Sequence, residues 1–581
     1  MSVSSRRVLG ELRPLRRRVL LIAGLTVLEV LLSGLTPLII AAGLTHAVAG
    51  KADALVTDLV RLGLVTIAGN AVAYAVQLLA TRTSQQYLGG LRGRLLDRLF
   101  LLDLGFFDRE RTGRIVARIT SDVEALQQFL EGGVVLATRS ALTLVVTVGL
   151  LASRSWELAL IVVVGASPVV LASNWYRTNA FNAQLKVRET NADLLTHMSE
   201  SLQAVPVVQA YQLEDQRSQA FAVLADRNLA VKRRVSYLAV LYQLSLDLMP
   251  TLCMGAVAIV GALLVDDGRI EVAAVIAALL FVSRVFEPVQ QLAELSSMTQ
   301  AAGAAFAKIF AFQDEQSVVT DAPTAVALQP GPGRIELSQV EFAYSPSLPT
   351  VLHGLDLDIV PGERLVLVGR SGSGKSTVAK LLARFYEPQH GAIRLDGQDL
   401  RDVTSASLRT RLALVPQEGY LFDGSIGYNI ALGKPGTDDD GVRRACRRLG
   451  VLDLLDGDLP EGLDTVVSGG GSSLSPGQRQ LVALARAYVA DPDVLVLDEA
   501  TSQLDPATHA LVERAMRTLL AGRTSVVIAH RVTTALSADR VAVLDGGRLV
   551  ALGTPADLRA GSAAFCRWLD ATRAEEEELA G

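Results

Sequence analysis

Six long apolar runs in the first half of this chain constrain its fold more than any other feature. The first, "VLLIAGLTVLEVLLSGLTPLIIAAGL" (Val19–Leu44), exceeds the roughly 20 residues that a helix needs to cross a bilayer. Others lie near 57–81, 133–152, 157–175, 239–265 and 271–295. Inside lipid, every backbone N–H and C=O has to be satisfied within the segment, so each run predicts a helix. Composition agrees: of 581 residues, 50% are apolar and 20% charged, and the mean hydropathy is +0.34, high for a water-soluble enzyme. Arg6-Arg7 could open a secretory signal, but such an apolar core is short and followed by a small-residue cleavage site. The first run therefore reads as a retained membrane helix.

Arginine sets the expected orientation. Arg6, Arg7, Arg13, Arg16, Arg17 and Arg18 precede the first run, and Arg92, Arg94, Arg98, Arg109, Arg111, Arg114 and Arg118 follow the second. The loop Thr45–Thr57 has just Lys51, and "DDGRIE" just Arg269. Positive-inside bias then predicts a cytoplasmic membrane protein with both termini and the two long connections in the cytoplasm. Those connections, 82–132 and 176–238, keep helical periodicity, so the membrane helices are expected to extend beyond the bilayer. The third and fourth runs, joined by "SRSWE", read as a tight helical hairpin.

Glu29, Arg139, Asp247, Arg284 and Glu287 fall within or near the spans. A charge at the bilayer centre costs about 2.5–3.5 kcal/mol, so these side chains should face the bundle interior or a wet cavity. Pairing among them is one reading, and Arg284 and Glu287 have the i, i+3 spacing for it. A place in a substrate cavity is the other, weighed more for Asp247 and Glu287 than for Arg139.

The chain changes character near residue 315. We read a membrane domain over 1–315, a linker over 316–333, and a second domain over 334–581 in which short apolar strands alternate with helical segments. "RLVLVGRSGSGKSTVAKLL" (Arg364–Leu382) is a buried-strand pattern, a glycine loop, then a helix. Gly369 to Ser376 matches G-x-x-x-x-G-K-[ST], the loop that wraps backbone amides around phosphate. Gly369, Ser371, Gly372, Gly374 and Thr377 belong to this cradle; Lys375 would reach the β- and γ-phosphates, and Ser376 would offer its hydroxyl to Mg²⁺. "DVLVLDEATSQLD" (Asp493–Asp505) holds a strand apolar on both faces, ending in Asp498, suited to Mg²⁺, and Glu499, a candidate general base for an attacking water. "LALVPQ" and "TSVVIAH" end in Gln417 and His530, at strand ends where open sheets collect ligands. Tyr344, in "VEFAYSP", could stack on a nucleobase. Asp396-Gly397 and Asp545-Gly546 read as hairpin turns without chemistry.

"SSLSPGQRQLVALARA" carries neither nucleophile nor carboxylate pair, yet Ser475-Pro476-Gly477-Gln478 is a strong helix start: a capping box with proline at the first helical position. Such an end presents amides and positive dipole to an anion. The net charge of −5 argues against a nucleic-acid partner, and Cys253, Cys446 and Cys566 have no ligand spacing.

Six spans followed in order by "GRSGSGKST", "VPQ", "LSPGQRQ", "VLVLDEATSQLD" and "VVIAH" resemble an ABC half-transporter of the exporter-type fold, over nearly the whole chain. The resemblance implies a membrane α-helical bundle of six long helices with cytoplasmic extensions, followed by an α/β P-loop ATPase domain with a helical subdomain. It implies ATP and Mg²⁺, with Tyr344 as the A-loop aromatic on the adenine, Gln417 as the Q-loop glutamine among the catalytic and metal-binding residues, Asp505 as the D-loop aspartate among the nucleotide-binding residues and His530 as the switch histidine. Ser475, Gly477 and Gln478 would face the γ-phosphate of ATP held by another chain, so the partner is a second half-transporter, identical or unlike. "FFDR" (Phe106–Arg109) and the region of Tyr211–Glu214 match the family's coupling helices. Two departures stand out: Pro476 replaces the signature's usual second glycine, and "TVVSGGGSS" (Thr465–Ser473) lacks the glutamate usual there. Export of a small lipophilic molecule, lipid or peptide across the bilayer is the expected function. Import of a siderophore-type substrate, a non-transporting ATPase motor, and a mainly structural or regulatory subunit are the alternatives.

Overall fold

The computed structural model describes residues 16–417, 419–452, 455, 457, 459, 461–498, 506–529 and 531–580. Its contacts divide the chain into two compact units, Met1–Phe100 with Thr112–Glu315, and Leu101–Arg111 with Gln316–Gly581.

The described residues of the first unit form helices joined by short turns. Helices α1 (Arg16–Val48) and α2 (Ala52–Phe100) form one antiparallel pair. Residues 101–111 leave for the second unit and contain α3 (Leu104–Arg109). Helix α4 (Thr112–Ala152) includes two π-helical turns, at Arg118–Asp122 and Phe129–Gly133. It is followed by α5 (Trp156–Gln203), α6 (Val205–Ala210), α7 (Glu214–Asp266) and α8 (Val272–Asp314). Six of these, α1, α2, α4, α5, α7 and α8, are long and apolar enough to cross a membrane. At about 1.5 Å per residue, the 53 residues of α7 run far past a bilayer's thickness. The helical hairpin between α4 and α5 is tighter than "SRSWE" implies: Ser155 caps α5, its hydroxyl accepting from the Leu158 amide, so Trp156 and Glu157 are already helical.

Small residues let these helices approach. A Cβ on Gly261 of α7 would stand 2.7 Å from a methyl of Val275 on α8, and one on Gly165 of α5 would stand 3.0 Å from the Cys253 sulfur on α7. Close backbone approach of this kind is what holds helices together in lipid, where burial of apolar side chains gains little. Phe281, Val282, Val162, Val169 and Val257 fill the seam, while Ile67, Tyr74, Leu171 and Ile259 stay exposed on the outside. Three of the five charges named above are met across helices: Arg139 pairs with Glu29, which is only 3% exposed, and Arg284 donates to the Ser33 carbonyl at 2.6 Å. Asp247 and Glu287 lie exposed on the single chain, accepting from Gln243 and Gln291.

The second unit is built on two sheets. Strands β1 (Ile335–Phe342), β2 (Leu352–Ile359), β4 (His390–Leu395) and β5 (Gln398–Asp399) form an antiparallel sheet ordered β2-β1-β4-β5. The larger sheet is ordered β12-β11-β3-β10-β9-β6, from β3 (Arg364–Val368), β6 (Leu412–Val415), β9 (Val494–Asp498), β10 (Thr524–Ile528), β11 (Arg540–Asp545) and β12 (Arg548–Gly553). All its neighbours run parallel except β11 and β12. Alternate residues feed two cores. Val366, Val368, Leu495, Leu497 and Val527 pack on one face, and Leu365, Leu367, Val494, Val496 and Ile528 on the other. That is why these strands read as unbroken apolar runs. The short pair β7 (Gly424–Ser425) and β8 (Val466–Val467) belongs to the helical subdomain.

Candidate nucleotide site

Register places the functional strand ends side by side. Ile528 lies opposite both Leu367 and Asp498, and Val415 opposite Leu497, so the carboxyl ends of β3, β6, β9 and β10 share one edge. Ligands of open parallel sheets collect there. The loop after β3 begins at Gly369, whose φ is 149°. A Cβ there would stand 2.1 Å from the Leu544 carbonyl oxygen, so no other residue fits. Gly374, at φ 101°, begins α9 (Lys375–Leu382), and a Cβ on it would meet Leu352 at 2.7 Å.

Inside this cradle the Lys375 ammonium donates to the Gly369 and Arg370 carbonyls at 2.7 and 3.0 Å. Burial lowers its pKa from the ordinary lysine value, opposed by the attraction of Asp498. The Ser373 hydroxyl is buried without a hydrogen-bond partner, a polar atom facing inward with nothing to bind. A cradle that admits only glycine, a lysine and an orphaned hydroxyl fit a phosphate group. Ser371, Gly372 and Ser376 are exposed. The carboxyl end of β9 delivers Asp498 beside Lys375, and Gln417 is exposed two residues beyond β6. This donor set of hydroxyl, amide and carboxylate oxygens suits a hard cation such as Mg²⁺. Glu499, Asp505 and His530 lie outside the described residues.

Tyr344 follows β1 by two residues, and its hydroxyl lies 2.9 Å from that of Thr377. The Tyr386 ring meets it edge-on with centroids 5.1 Å apart, and the Lys380 ammonium sits over both rings. Behind this aromatic stack lies α3. Its N-cap Asp103 accepts from the Phe106 amide, and Leu104 packs into the antiparallel-sheet core. Asp108 accepts from the Tyr386 hydroxyl at 2.5 Å and from Lys380 at 3.3 Å. Burial, reinforced by the Asp108 carboxylate, pushes the Tyr386 phenol far above the ordinary tyrosine range. For Asp103, burial alone would raise the pKa. The Val318 and Phe106 amides and the Ser317 hydroxyl outweigh it and hold the carboxyl below its usual value. "FFDR" thus supplies the carboxylate of a cluster adjoining the aromatic platform.

The signature segment forms the capping box that its sequence predicts. Helix α10 is Ser405–Arg411, α11 Ile426–Ala431, α12 Asp439–Leu449 and α13 Pro476–Ala490. The Ser475 hydroxyl accepts from the Gln478 amide at 3.2 Å, and the Gln478 side-chain oxygen accepts from the Ser475 amide at 2.9 Å. Pro476 is at the first helical position. Gly469, Gly470 and Gly471 before it all have positive φ, and a Cβ on Gly470 would press on the Tyr420 ring at 3.2 Å.

Sequence reasoning missed the hub that joins this helix to the segment after Gln417. Asn429, fully buried, accepts from the Phe422 amide and donates to the Phe422 and Ser425 carbonyls. Arg486 of α13 donates to the Asn429 side chain and carbonyl and to the Tyr420 carbonyl. An asparagine inside the apolar-flanked "SIGYNIA" was the available signal.

A multi-span helical bundle carried on one chain with a phosphate-loop ATP-binding domain defines a membrane protein of the ATP-driven transport class. Comparison with known proteins bears this out. Residues 19–289 match the ABC transporter transmembrane region and 352–502 the ABC transporter domain. The chain is 32% identical over 554 residues to the ABC transporter ATP-binding protein YknV of Bacillus subtilis (strain 168), covering 94% of this chain and 91% of that one. It is 34% identical over 539 residues to a multidrug efflux ATP-binding/permease protein of Mycobacterium bovis (strain BCG / Pasteur 1173P2), spanning 44% of that protein. Among solved structures it resembles a bacterial Atm1-family ABC exporter with ATP bound, at TM-score 0.79 and 27% identity over 95% of this chain and 99% of that one. The chain belongs to the ABC transporter family and has the exporter-type fold, as its ordered motifs predicted.

Proposed function

We propose that two copies of this chain, or this chain with an unlike half-transporter, hydrolyse ATP at their shared interface to export a lipophilic small molecule or lipid through the cytoplasmic membrane. In this reading residues 1–315 are the membrane domain, 316–333 the linker and 334–581 the cytoplasmic ATPase domain, with both termini cytoplasmic. The observation that carries it is the phosphate cradle at the edge where β3, β6, β9 and β10 end, on a chain with six membrane-capable helices.

ATP would lie with its adenine on Tyr344 and its phosphates in Gly369–Thr377, drawing Lys375 from the two carbonyls it now holds. Ser376, Gln417 and Asp498 would hold Mg²⁺, which neutralises charge on the phosphates. The partner's signature end would complete the site, since a capped helix N-terminus presents amides to an anion. Glu499 takes a proton from water as its oxygen attacks the γ-phosphorus, the bond to the β-phosphate oxygen breaks, and ADP and phosphate leave; His530 and Asp505 orient the closed site. The efflux function of the mycobacterial relative supports export, and the exposed apolar surface of α1, α2, α5 and α7 supports a bilayer setting. Asp247 and Glu287, exposed on the single chain, are proposed to face the shared cavity.

The test is Mg-ATP hydrolysis by the purified chain in lipid nanodiscs, with Glu499→Gln as the blank. Turnover abolished by the substitution is expected of a self-sufficient homodimer. Turnover equal to the blank from protein that binds ATP would rule that out and direct the search to an unlike partner.

A further inference from the structure

A cavity of about 130 Å³ lies between α1, α2 and α4, within the first unit, and the nucleotide chemistry makes no use of it. Its walls include Val19, Ala80, Ser84, Tyr87, Leu130 and Thr138, nearly all presenting apolar surface. An apolar cavity of roughly 150 Å³ stays dry and takes up benzene, so this one is sized for a segment of alkyl chain. Among the hydroxyl-bearing residues of the lining, Ser84 stands apart. Ser84 is 4% exposed, and its hydroxyl is buried without a hydrogen-bond partner. A ligand carrying an acceptor would meet it, a gain of about threefold to tenfold in affinity.

The arginine-rich start of α1 adjoins the same cavity. Arg16, Arg17 and Arg18 are exposed and immediately precede Val19. Arg18 donates to the neutral side-chain oxygen of Gln86, two residues from Ser84 on α2. Basic clusters at the cytoplasmic end of membrane helices attract anionic headgroups, at about fivefold in affinity per arginine. The apolar cavity, the unmet hydroxyl and the Arg18 cation therefore follow one another along the α1–α2 pair.

We propose that this cavity binds a single-chain anionic amphiphile, with its alkyl chain between α1, α2 and α4, an anionic oxygen accepting from Ser84, and Arg18 at the headgroup. The site is complete within one chain and does not depend on whether the ligand is transported.

The probe is palmitic acid carrying a diazirine on its chain, photolysed without nucleotide on the full chain in phosphatidylcholine nanodiscs, with adducts mapped by peptide mass spectrometry. Adducts should fall in 19–26, 80–87 and 130–138, disappear with excess palmitic acid, and form with about fivefold or greater preference over the matching diazirine alcohol. Ser84→Ala should raise the half-labelling concentration about threefold to tenfold, and Arg18→Gln about fivefold. Ala80→Phe, which fills the cavity, should remove the adducts; should it misfold, the isosteric Ser84→Ala decides. Equal labelling by acid and alcohol, adducts outside these segments, or an unchanged concentration dependence in Ser84→Ala would overturn the proposal.

Discussion

Replacing Tyr386 with phenylalanine isolates the bond that fastens α3 to the ATPase domain. The phenol donates to Asp108 at 2.5 Å, and Tyr386 is only 8% exposed. A hydrogen bond to a charged group is worth about 1.5–3 kcal/mol net. Lys380 also reaches Asp108, at 3.3 Å, but the two side chains are 32% and 44% exposed, so solvent screens the pair to about 1 kcal/mol or less. At 1.4 kcal/mol per factor of ten, Tyr386→Phe should speed amide exchange in Leu104–Arg109 by about tenfold to a hundredfold. Lys380→Gln should speed it by about fivefold at most. The assay is hydrogen–deuterium exchange of that peptide in nanodiscs, with Asp108→Asn closing the double-mutant cycle. A Lys380→Gln effect equal to or larger than that of Tyr386→Phe would refute the reasoning, because the anchor would then be charge and not the buried hydroxyl.

Gly369→Ala should abolish ATP binding in equilibrium titration, since its Cβ would collide with the Leu544 carbonyl. Asn429→Ala strips partners from the Phe422 backbone and Arg486 and should destabilise the ATPase domain by about 2–3 kcal/mol, read as a lowered melting temperature; the surface change Lys434→Ala should leave it unmoved. Asp103, with its folded pKa depressed, contributes stability that is complete above the unfolded carboxylate value of about 3.9 and is lost as pH falls through the lower folded value. Exchange in 316–319, corrected for intrinsic rates, should accelerate across that acid window in the parent chain, and Asp103→Asn should flatten the step.

What could be read from sequence follows the range of the forces involved. The six spans, the strand–loop–helix around Lys375 and the capping box at Ser475 are local: apolar period, glycine spacing and cap chemistry each act over a few residues. The hairpin turns were legible for the same reason, with Asp396 and Gly397 both at positive φ. What escaped depends on contacts between distant positions. Arg139 lies 110 residues from Glu29 in sequence, and no spacing rule joins them. Arg284 had a neighbour at i+3 on offer, yet donates to a carbonyl on α1. Tyr386 gave no local sign that its hydroxyl would meet Asp108, nor Asn429 that it would serve an arginine in α13. The orphaned hydroxyls of Ser373 and Ser84 are defined by what surrounds them, so sequence could not reveal them.

Pro476 at the tip of α13 has a further consequence. Proline brings no N–H, and the cap already occupies the amides of Ser475 and Gln478, so Gly477 is the backbone donor left to offer at that tip. In the proposed assembly each chain would lend its tip to its partner's nucleotide, so in a pair of identical chains both nucleotides would meet the proline-altered donor set and turn over as equals. In a mixed pair, one nucleotide meets this tip and the other meets whatever the unlike chain provides. Pro476→Gly therefore counts copies: it shifts every turnover event in the first assembly and only half of the sites in the second, an asymmetry that single-turnover kinetics can resolve without identifying the cargo.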